Sequence, residues 1–182
     1  MQKRYQDQIY RLNDKFSQLQ ELLSIAPPYQ IHTQPNPNAW SVIQVIQHLY
    51  AAEGGTYLYL QKKLQGIHSE LPKVNWKSAF REFKLITYLN IPLRWPAPKV
   101  VNPVKLEITT DLDELMTDWQ NVREDLFQLM SNLDDSLWQK QIQRHPLVGR
   151  ISLKGTLNFT EVHFDRHFKQ IKRTIGLVEH TH

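Results

Sequence analysis

Apolar residues recur at three- and four-residue intervals in four long stretches of the chain, and this spacing predicts amphipathic α-helices. The four helices are predicted over about 3–24, from Val42 to about Gln65, over 111–133 and over 153–175. A shorter helix is predicted over about 77–89, and no long stretch alternates with the period of a strand. We therefore expect an all-α fold, a four-helix bundle formed by a single domain over residues 1–182.

Capping residues set the expected ends of these helices. Ser41 and Gln44 stand three positions apart, as in a capping box at the start of the second long helix, and Asp111 and Glu114 repeat the pattern at the third. Gly176 is expected to end the last helix, because glycine suits the position just after a helical C-terminus.

The connections differ in character. Residues 31–40 are dense in proline and asparagine and are predicted to be loop. Residues 67–109 form a longer excursion between the second and third main helices, and the stretch NIPLRWPAPKVVNPVKLEI within it contains four prolines. Structured excursions of this length are more often functional than idle.

Composition excludes several classes of protein. The 182 residues include no cysteine, so disulfides, thiolate metal ligands and a cysteine nucleophile are excluded. The polar N-terminus is not a signal peptide, and no apolar run reaches the roughly 18 residues of a membrane span. We expect a cytoplasmic protein of bacterial type without a membrane partner.

The charge is divided along the chain, although its net value is only +4. Residues 62–105 contain nine Lys and Arg against two acids, and residues 107–135 contain nine acids against one Arg. The basic segment could steer an anionic ligand, or the two segments could simply be solvated faces of opposite sign.

Three histidines are the candidate chemistry. His163 and His167 lie one turn apart on the last predicted helix, with side chains about 6 Å apart on one face. His48 lies beside the apolar stripe of the second helix, which must pack nearby. Imidazoles placed in this way either bind one transition metal or are partly buried, hydrogen-bonded residues.

Two familiar metal schemes are excluded. A zincin requires glutamate directly after the first histidine, where this chain has Phe164. A di-iron bundle requires paired Glu-x-x-His motifs, which the sequence lacks. The scheme that remains is a mononuclear three-histidine site with an open coordination position, as in catalytic zinc centres.

The sequence resembles the DinB/YfiT-like superfamily over about residues 10–176. The resemblance lies in Trp40-Ser41, His48-Leu49 and Glu53, in AFREFKLITYLNIPLRWPAPKVVNP and in HPLVGRISLKGTLNFTEVHFDRHFKQI. It implies a four-helix bundle in which His48, His163 and His167 hold a divalent metal, nickel or zinc. It also implies either transfer of a low-molecular-weight thiol or hydrolysis.

The leading hypothesis is a thiol transferase, in which the metal lowers the pKa of a small thiol co-substrate. The anionic groups of such a thiol would be bound by Arg94, Trp95 and Lys99, or these residues could belong to a solvated loop. The second hypothesis is hydrolysis by metal-activated water, with Glu53 close enough to His48 along the helix to assist proton transfer.

A third hypothesis is a bundle that binds a partner or nucleic acid and catalyses nothing. Aromatic residues interleave with the basic residues of the middle segment, but no known DNA-reading motif is present. We therefore expect a small-molecule substrate rather than nucleic acid, and a homodimer is conceivable. His145 is expected in a loop, and His180 and His182 in the terminal tail.

Overall fold

The structure, a computed structural model, describes residues 3–65, 71–91 and 97–179. The helices within these ranges are α1 (Lys3–Ile25), α2 (Pro28–His32), α3 (Val42–Leu64), α4 (Trp76–Asn90), α5 (Leu112–Ser131) and α6 (Leu153–Glu179). Two short strands, β1 (Gln143–His145) and β2 (Gly149–Ile151), form an antiparallel hairpin. The predicted all-α class is confirmed, with this hairpin as a small addition.

The four long helices α1, α3, α5 and α6 form the bundle. α3 packs against α5 and α6, and α1 packs against the same two helices. Their apolar stripes meet in one core, whose largest fully enclosed side chains include Trp119, Trp138 and Phe164. α4 lies outside the bundle, against α6 and β2.

The predicted capping box at α3 is confirmed. The Ser41 hydroxyl accepts from the Gln44 amide, and the Gln44 side chain accepts from the Ser41 amide. Only half of the corresponding pair forms at α5, where Asp111 accepts from the amide of Glu114. The Glu114 carboxylate instead accepts from the hydroxyl of Thr109, because that side chain lies within reach just before the helix.

The predicted end of α6 is wrong. The helix continues through Gly176 to Glu179, and Val178 is fully buried. Glycine inside a helix costs about 1 kcal/mol relative to alanine, whereas burying a valine side chain contributes about 1.5–3 kcal/mol. The apolar contact of Val178 therefore outweighs the stop signal.

The short helix α2 partly overlaps residues that were predicted to be loop. Pro28 occupies the first turn of α2, where a backbone amide has no intrahelical acceptor, so proline costs no hydrogen bond there. The buried Ile31 packs this turn against the core. The later excursion also contributes structure, since residues 99–101 and 103–105 form 3₁₀ turns that pack against α3.

A buried ion pair lies at the centre of the bundle. Nη1 of Arg123 donates to both carboxylate oxygens of Glu53 at 2.7 and 2.9 Å, and Trp119 Nε1 donates to the same carboxylate at 2.9 Å. Arg123 Nη2 donates to the Leu12 carbonyl at 3.2 Å. Arg123 is 2% exposed and Glu53 is 4% exposed, so water does not screen the pair.

The same guanidinium also contacts aromatic rings. It lies over Phe16 of α1 at 4.6 Å, over Phe127 of α5 at 5.2 Å and over Phe164 of α6 at 5.4 Å. Together with Glu53 of α3, these contacts bring one cation into touch with all four helices of the bundle. Breaking the pair therefore affects every helix packing contact at once.

We expect Arg123→Met to lower the free energy of unfolding by about 3–5 kcal/mol, because it leaves the buried Glu53 carboxylate without its counter-ion. Urea denaturation measures this loss. Adding Glu53→Gln should restore part of it, since glutamine carries no charge and still offers an acceptor to Trp119.

Lys15→Met is the matched control, because Lys15 is partly exposed where it pairs with Glu161 and Asp165. Exposed pairs contribute about 0–1 kcal/mol. A loss in Arg123→Met no larger than the loss in Lys15→Met would contradict the structural importance of the central pair.

Candidate metal centre

The structure brings the three predicted histidines together where α3 packs against α6. His48 projects from α3, and His163 and His167 project from successive turns of α6. Their ring centroids lie 4.6–5.0 Å apart, and the three side chains are 4%, 8% and 7% exposed. The helical spacing of the pair therefore combines with the packing of α3 to form one buried cluster.

Hydrogen bonds fix the orientation of two of the rings. Nδ1 of His48 lies 2.7 Å from the carbonyl of Val101, which can only accept, so Nδ1 carries the proton. Nδ1 of His167 likewise donates to Oε1 of Gln170 at 2.9 Å. Both rings therefore present an unprotonated Nε2 to the cluster, the arrangement usual for metal-binding histidines.

The distances between the nitrogens fit a single ion. One potential ligand nitrogen from each histidine lies within 4.8 Å of the others, and the Nε2 atoms of His48 and His163 are 3.1 Å apart. Zinc binds imidazole nitrogen at about 2.0–2.1 Å, which separates two nitrogens of a tetrahedral site by about 3.3 Å. Because Nε2 of His48 is unprotonated, this 3.1 Å contact requires either a proton on Nε2 of His163 or a cation between the two nitrogens.

Burial keeps the three imidazoles neutral near pH 7. It lowers the pKa of His48, against the opposing effect of the bond to Val101, and with the neighbouring rings it lowers the pKa of His163 well below the usual 6.5. Burial and the neighbouring His48 lower the pKa of His167 to about 3. Neutral imidazole is the form that binds a metal, so the environment prepares all three rings for coordination.

His163 is held differently from the other two histidines. Its ring stacks on Phe159, with 5.0 Å between the ring centroids and 15° between the planes, and the ring centroid of Phe159 lies 4.7 Å from that of His145, with 68° between those planes. His145 lies in β1 and is buried, so its predicted place in a loop is wrong. Burial lowers its pKa to about 4.

The sequence offered little signal for this residue. A three-residue strand is too short to show a period, and the hairpin buries His145 only because it packs against α3 and lies beside α6. A fourth histidine thus approaches the cluster through tertiary structure alone.

The remaining predicted site residues lie elsewhere. Glu53 points into the bundle core, where burial raises the pKa of its carboxyl and Arg123 and Trp119 oppose that rise. No contact joins it to the histidines among the residues described, so its role in proton transfer stays a prediction. Lys99 is exposed on the turn that contains Val101, and Arg94 and Trp95 lie outside the described residues.

Among the described residues, His48, His163 and His167 form the one group of three or more histidine or acidic side chains whose potential ligand atoms all lie within 4.8 Å of one another. The described helices include none with the length and hydrophobicity of a membrane span.

Comparison with known proteins agrees with this geometry. The model of the DinB superfamily matches residues 11–171. YfiT from Bacillus subtilis, described as a probable metal-dependent hydrolase with an unusual four-helix bundle topology, has a similar structure, with a TM-score of 0.64 and 18% identity. The similarity covers 96% of this chain and 87% of YfiT, and at this identity it shows the fold. No curated protein matches the sequence.

The neutral histidines predict an acid-sensitive fold. Each lowered pKa means that the unfolded chain binds a proton below about pH 6.5 while the folded chain does not, so stability is complete above that pH and falls as the pH drops towards 4. In chelator-treated protein, we expect His145 and His167 together to lower the free energy of unfolding by about 2–3 kcal/mol for each pH unit between about 6.5 and 4. Urea denaturation at a series of pH values measures it.

His145→Phe should reduce the slope by about 1.4 kcal/mol per pH unit, because one such group is removed and the contact with Phe159 is kept. His32→Phe, the same substitution at an exposed position, is the control for the change of side chain itself. The same slope in His145→Phe and the parent would show that His145 is not buried as described.

Proposed function

The chain belongs to the DinB superfamily, and we propose that it is a metal-dependent hydrolase in which His48, His163 and His167 hold one divalent ion. The observation that carries this proposal is the convergence of three neutral, buried imidazoles, two of them with Nδ1 anchored so that Nε2 is free. Four neutral or anionic ligands complete a tetrahedral zinc site, so three histidines leave a position for substrate or water.

Each residue of the site has a definable task. The Val101 carbonyl holds the His48 ring in one orientation and increases the basicity of its Nε2, and Gln170 does the same for His167. Phe159 holds His163 by stacking, and the core behind α6 keeps bulk water away. The bound ion supplies Lewis-acid chemistry, lowering the pKa of a ligand at its open position.

The donor set favours zinc or nickel over magnesium or calcium. Imidazole nitrogen suits zinc, copper, iron and nickel, whereas the hard cations prefer oxygen ligands. The one carboxylate close to His48 along α3, that of Glu53, is already bound by Arg123. Hydrolysis is further supported by the description of YfiT, whose fold this chain shares.

Thiol transfer is the second candidate, and one observation favours it. Lys99 is exposed two residues before Val101, so a cation lies on the same turn that contacts His48. A small thiol with a carboxylate could bind its sulfur at the metal position and pair its carboxylate with Lys99. Arg94 and Trp95 lie outside the described residues, and their part in binding such a thiol stays a prediction from the sequence.

Metal content is the first test of the proposal. Protein carrying His180→Ala and His182→Ala, which remove the histidines of the tail, should bind about one zinc or nickel ion per chain. Replacing His48, His163 or His167 by alanine should weaken binding at least about tenfold to hundredfold. Inductively coupled plasma mass spectrometry after dialysis measures the stoichiometry.

The exposed His32 provides the control, and His32→Ala should bind metal as the parent does. Equal metal content in the parent and in all three site variants would contradict the proposed ligand set. Absence of bound metal after incubation with zinc and with nickel would contradict the proposed function itself.

Cobalt-substituted protein distinguishes hydrolysis from thiol transfer. We expect metal-dependent turnover of chromogenic acyl esters or amides, lost in His163→Ala, and no sulfur-to-cobalt charge-transfer band on addition of cysteine or glutathione. A saturable band that weakens in Lys99→Gln, without ester or amide turnover, would contradict the hydrolase and favour the transferase.

A further inference from the structure

The helix α4 has two apolar sides, and only one of them is covered. Ser78 and Leu85 are buried, on the side that lies against the rest of the protein. On the opposite side, Trp76, Phe80 and Phe83 are 76%, 62% and 68% exposed. Positions i, i+4 and i+7 share one face of a helix, so these three rings form a single exposed stripe, which we call the α4 stripe.

A groove continues the α4 stripe towards the end of the helix. Its volume is about 220 Å³. It is lined by Phe80, Phe83, Lys84, Thr87, Tyr88 and Ile91. A cavity of about 150 Å³ accommodates a benzene molecule. The groove can therefore take one apolar side chain of a partner.

The α4 stripe is large for the surface of a monomer. Burying an aromatic side chain covers about 150–250 Å², so three rings exposed to this degree present roughly 300–500 Å² of apolar surface. The largest exposed apolar patch of a typical monomer is about 300–600 Å² and is often functional. A stable protein–protein interface needs about 800 Å² on each side. The area of the stripe therefore favours a short segment over a whole globular surface.

Lysines border the α4 stripe along one edge. Lys77 and Lys84 are exposed, and their Nζ atoms lie 5.5 Å from the ring centroid of Trp76 and 5.4 Å from that of Tyr88. Seven residues of helix separate the two lysines by about 10.5 Å along the axis. Lys73, just before the helix, is also exposed. The edge of the stripe is therefore positively charged.

The one acidic residue of α4 does not offset this charge, because it points to the other side of the helix. The carboxylate of Glu82 accepts from the backbone amide of Ser152 at 2.6 Å, just before α6 begins. A side chain at Gly155 would collide with this carboxylate, so the glycine gives it room. A negative charge is stabilised at a helix N-terminus, so Glu82 is held there and away from the stripe.

We propose that the α4 stripe binds a short acidic amphipathic helix of another protein. An apolar side chain of that helix enters the groove, and its carboxylates pair with Lys77 and Lys84. Amphipathic helices bind apolar grooves in this way, through residues at i, i+3 or i+4, and i+7. The lysine stems lie along the rings while their charged ends reach the acidic residues. This contact is independent of the metal centre.

The charges distinguish this partner from a second copy of the chain. In a two-fold contact the stripe would pack against itself, and such a contact brings no carboxylate to Lys77 or Lys84, since Glu82 faces α6. Lysines enclosed without a counter-ion lose hydration and gain nothing in return. A bilayer surface offers anionic groups, but the groove favours a protruding side chain over a flat surface.

The test selects peptides that bind the full chain from a library of random peptides displayed on phage. We expect the recovered peptides to carry a net negative charge and to have apolar residues at helical spacing. Fluorescence anisotropy of a labelled copy of the most enriched peptide gives its dissociation constant. Raising the salt concentration should weaken this binding, because exposed charges are screened.

Two kinds of substitution test the two parts of the surface. Phe80→Ser and Phe83→Ser should each weaken binding of the peptide at least about tenfold, because they remove the groove. Lys77→Glu combined with Lys84→Glu should weaken it about as much. The same double variant should bind more tightly than the parent to a peptide in which lysines replace the acidic residues.

Matched controls change the same kinds of side chain elsewhere. Leu147→Ser removes an apolar side chain that is equally exposed on the β-hairpin. Lys62→Glu combined with Lys105→Glu makes the same change of net charge at exposed positions outside α4. Both controls should bind the selected peptide as the parent does. All of these side chains are exposed, so thermal unfolding should be unchanged in every variant.

Four results would overturn the proposal. They are the absence of any enriched peptide, enriched peptides without excess negative charge, equal affinity of the parent and Phe80→Ser, and equal loss in the matched controls. Light scattering that shows a dimer in the parent and a monomer in Phe80→Ser would assign the stripe to a second copy. Sedimentation with phosphatidylglycerol vesicles, lost in Phe80→Ser and without any peptide binding, would assign it to a bilayer.

Discussion

The position of Arg123 is the constraint on which the rest of the bundle depends. A buried guanidinium is costly unless its hydrogen bonds and its charge are both satisfied. Glu53 of α3 and the Leu12 carbonyl of α1 satisfy it here, and Phe164 of α6 covers one of its faces. Any shift of one helix along another would break several of these contacts, so the cation selects one arrangement of the four helices.

That arrangement also determines the histidine cluster. Glu53 follows His48 by five residues on α3, and Phe164 directly follows His163 on α6. The ion pair and the aromatic contact therefore fix the position of α3 relative to α6 along the helix axes. As a result, the Nε2 atoms of His48 and His163 lie 3.1 Å apart. A site that needs placement within a fraction of an ångström thus depends on a rigid core behind it.

The sequence predicts the features that local chemistry controls. The capping box at Ser41, the apolar stripes and the i, i+4 spacing of His163 and His167 all follow from helix geometry, and the structure agrees with each. Tertiary contacts decide the rest. Val178 extends α6 beyond its glycine signal, and a hairpin of three-residue strands brings His145 to the cluster. Arg123 gave no sequence signal, because one arginine among acidic residues on α5 resembles a solvated residue.

The electrostatics of the cluster limit what an ion held there can bind. A divalent ion held by the three neutral imidazoles would keep its full charge of two, since the Glu53 carboxylate is occupied by Arg123 and faces the core. Low polarity around the rings strengthens the attraction of that charge for an anion. A ligand that loses a proton on binding, such as water or a thiol, would therefore be favoured by an ion in this place.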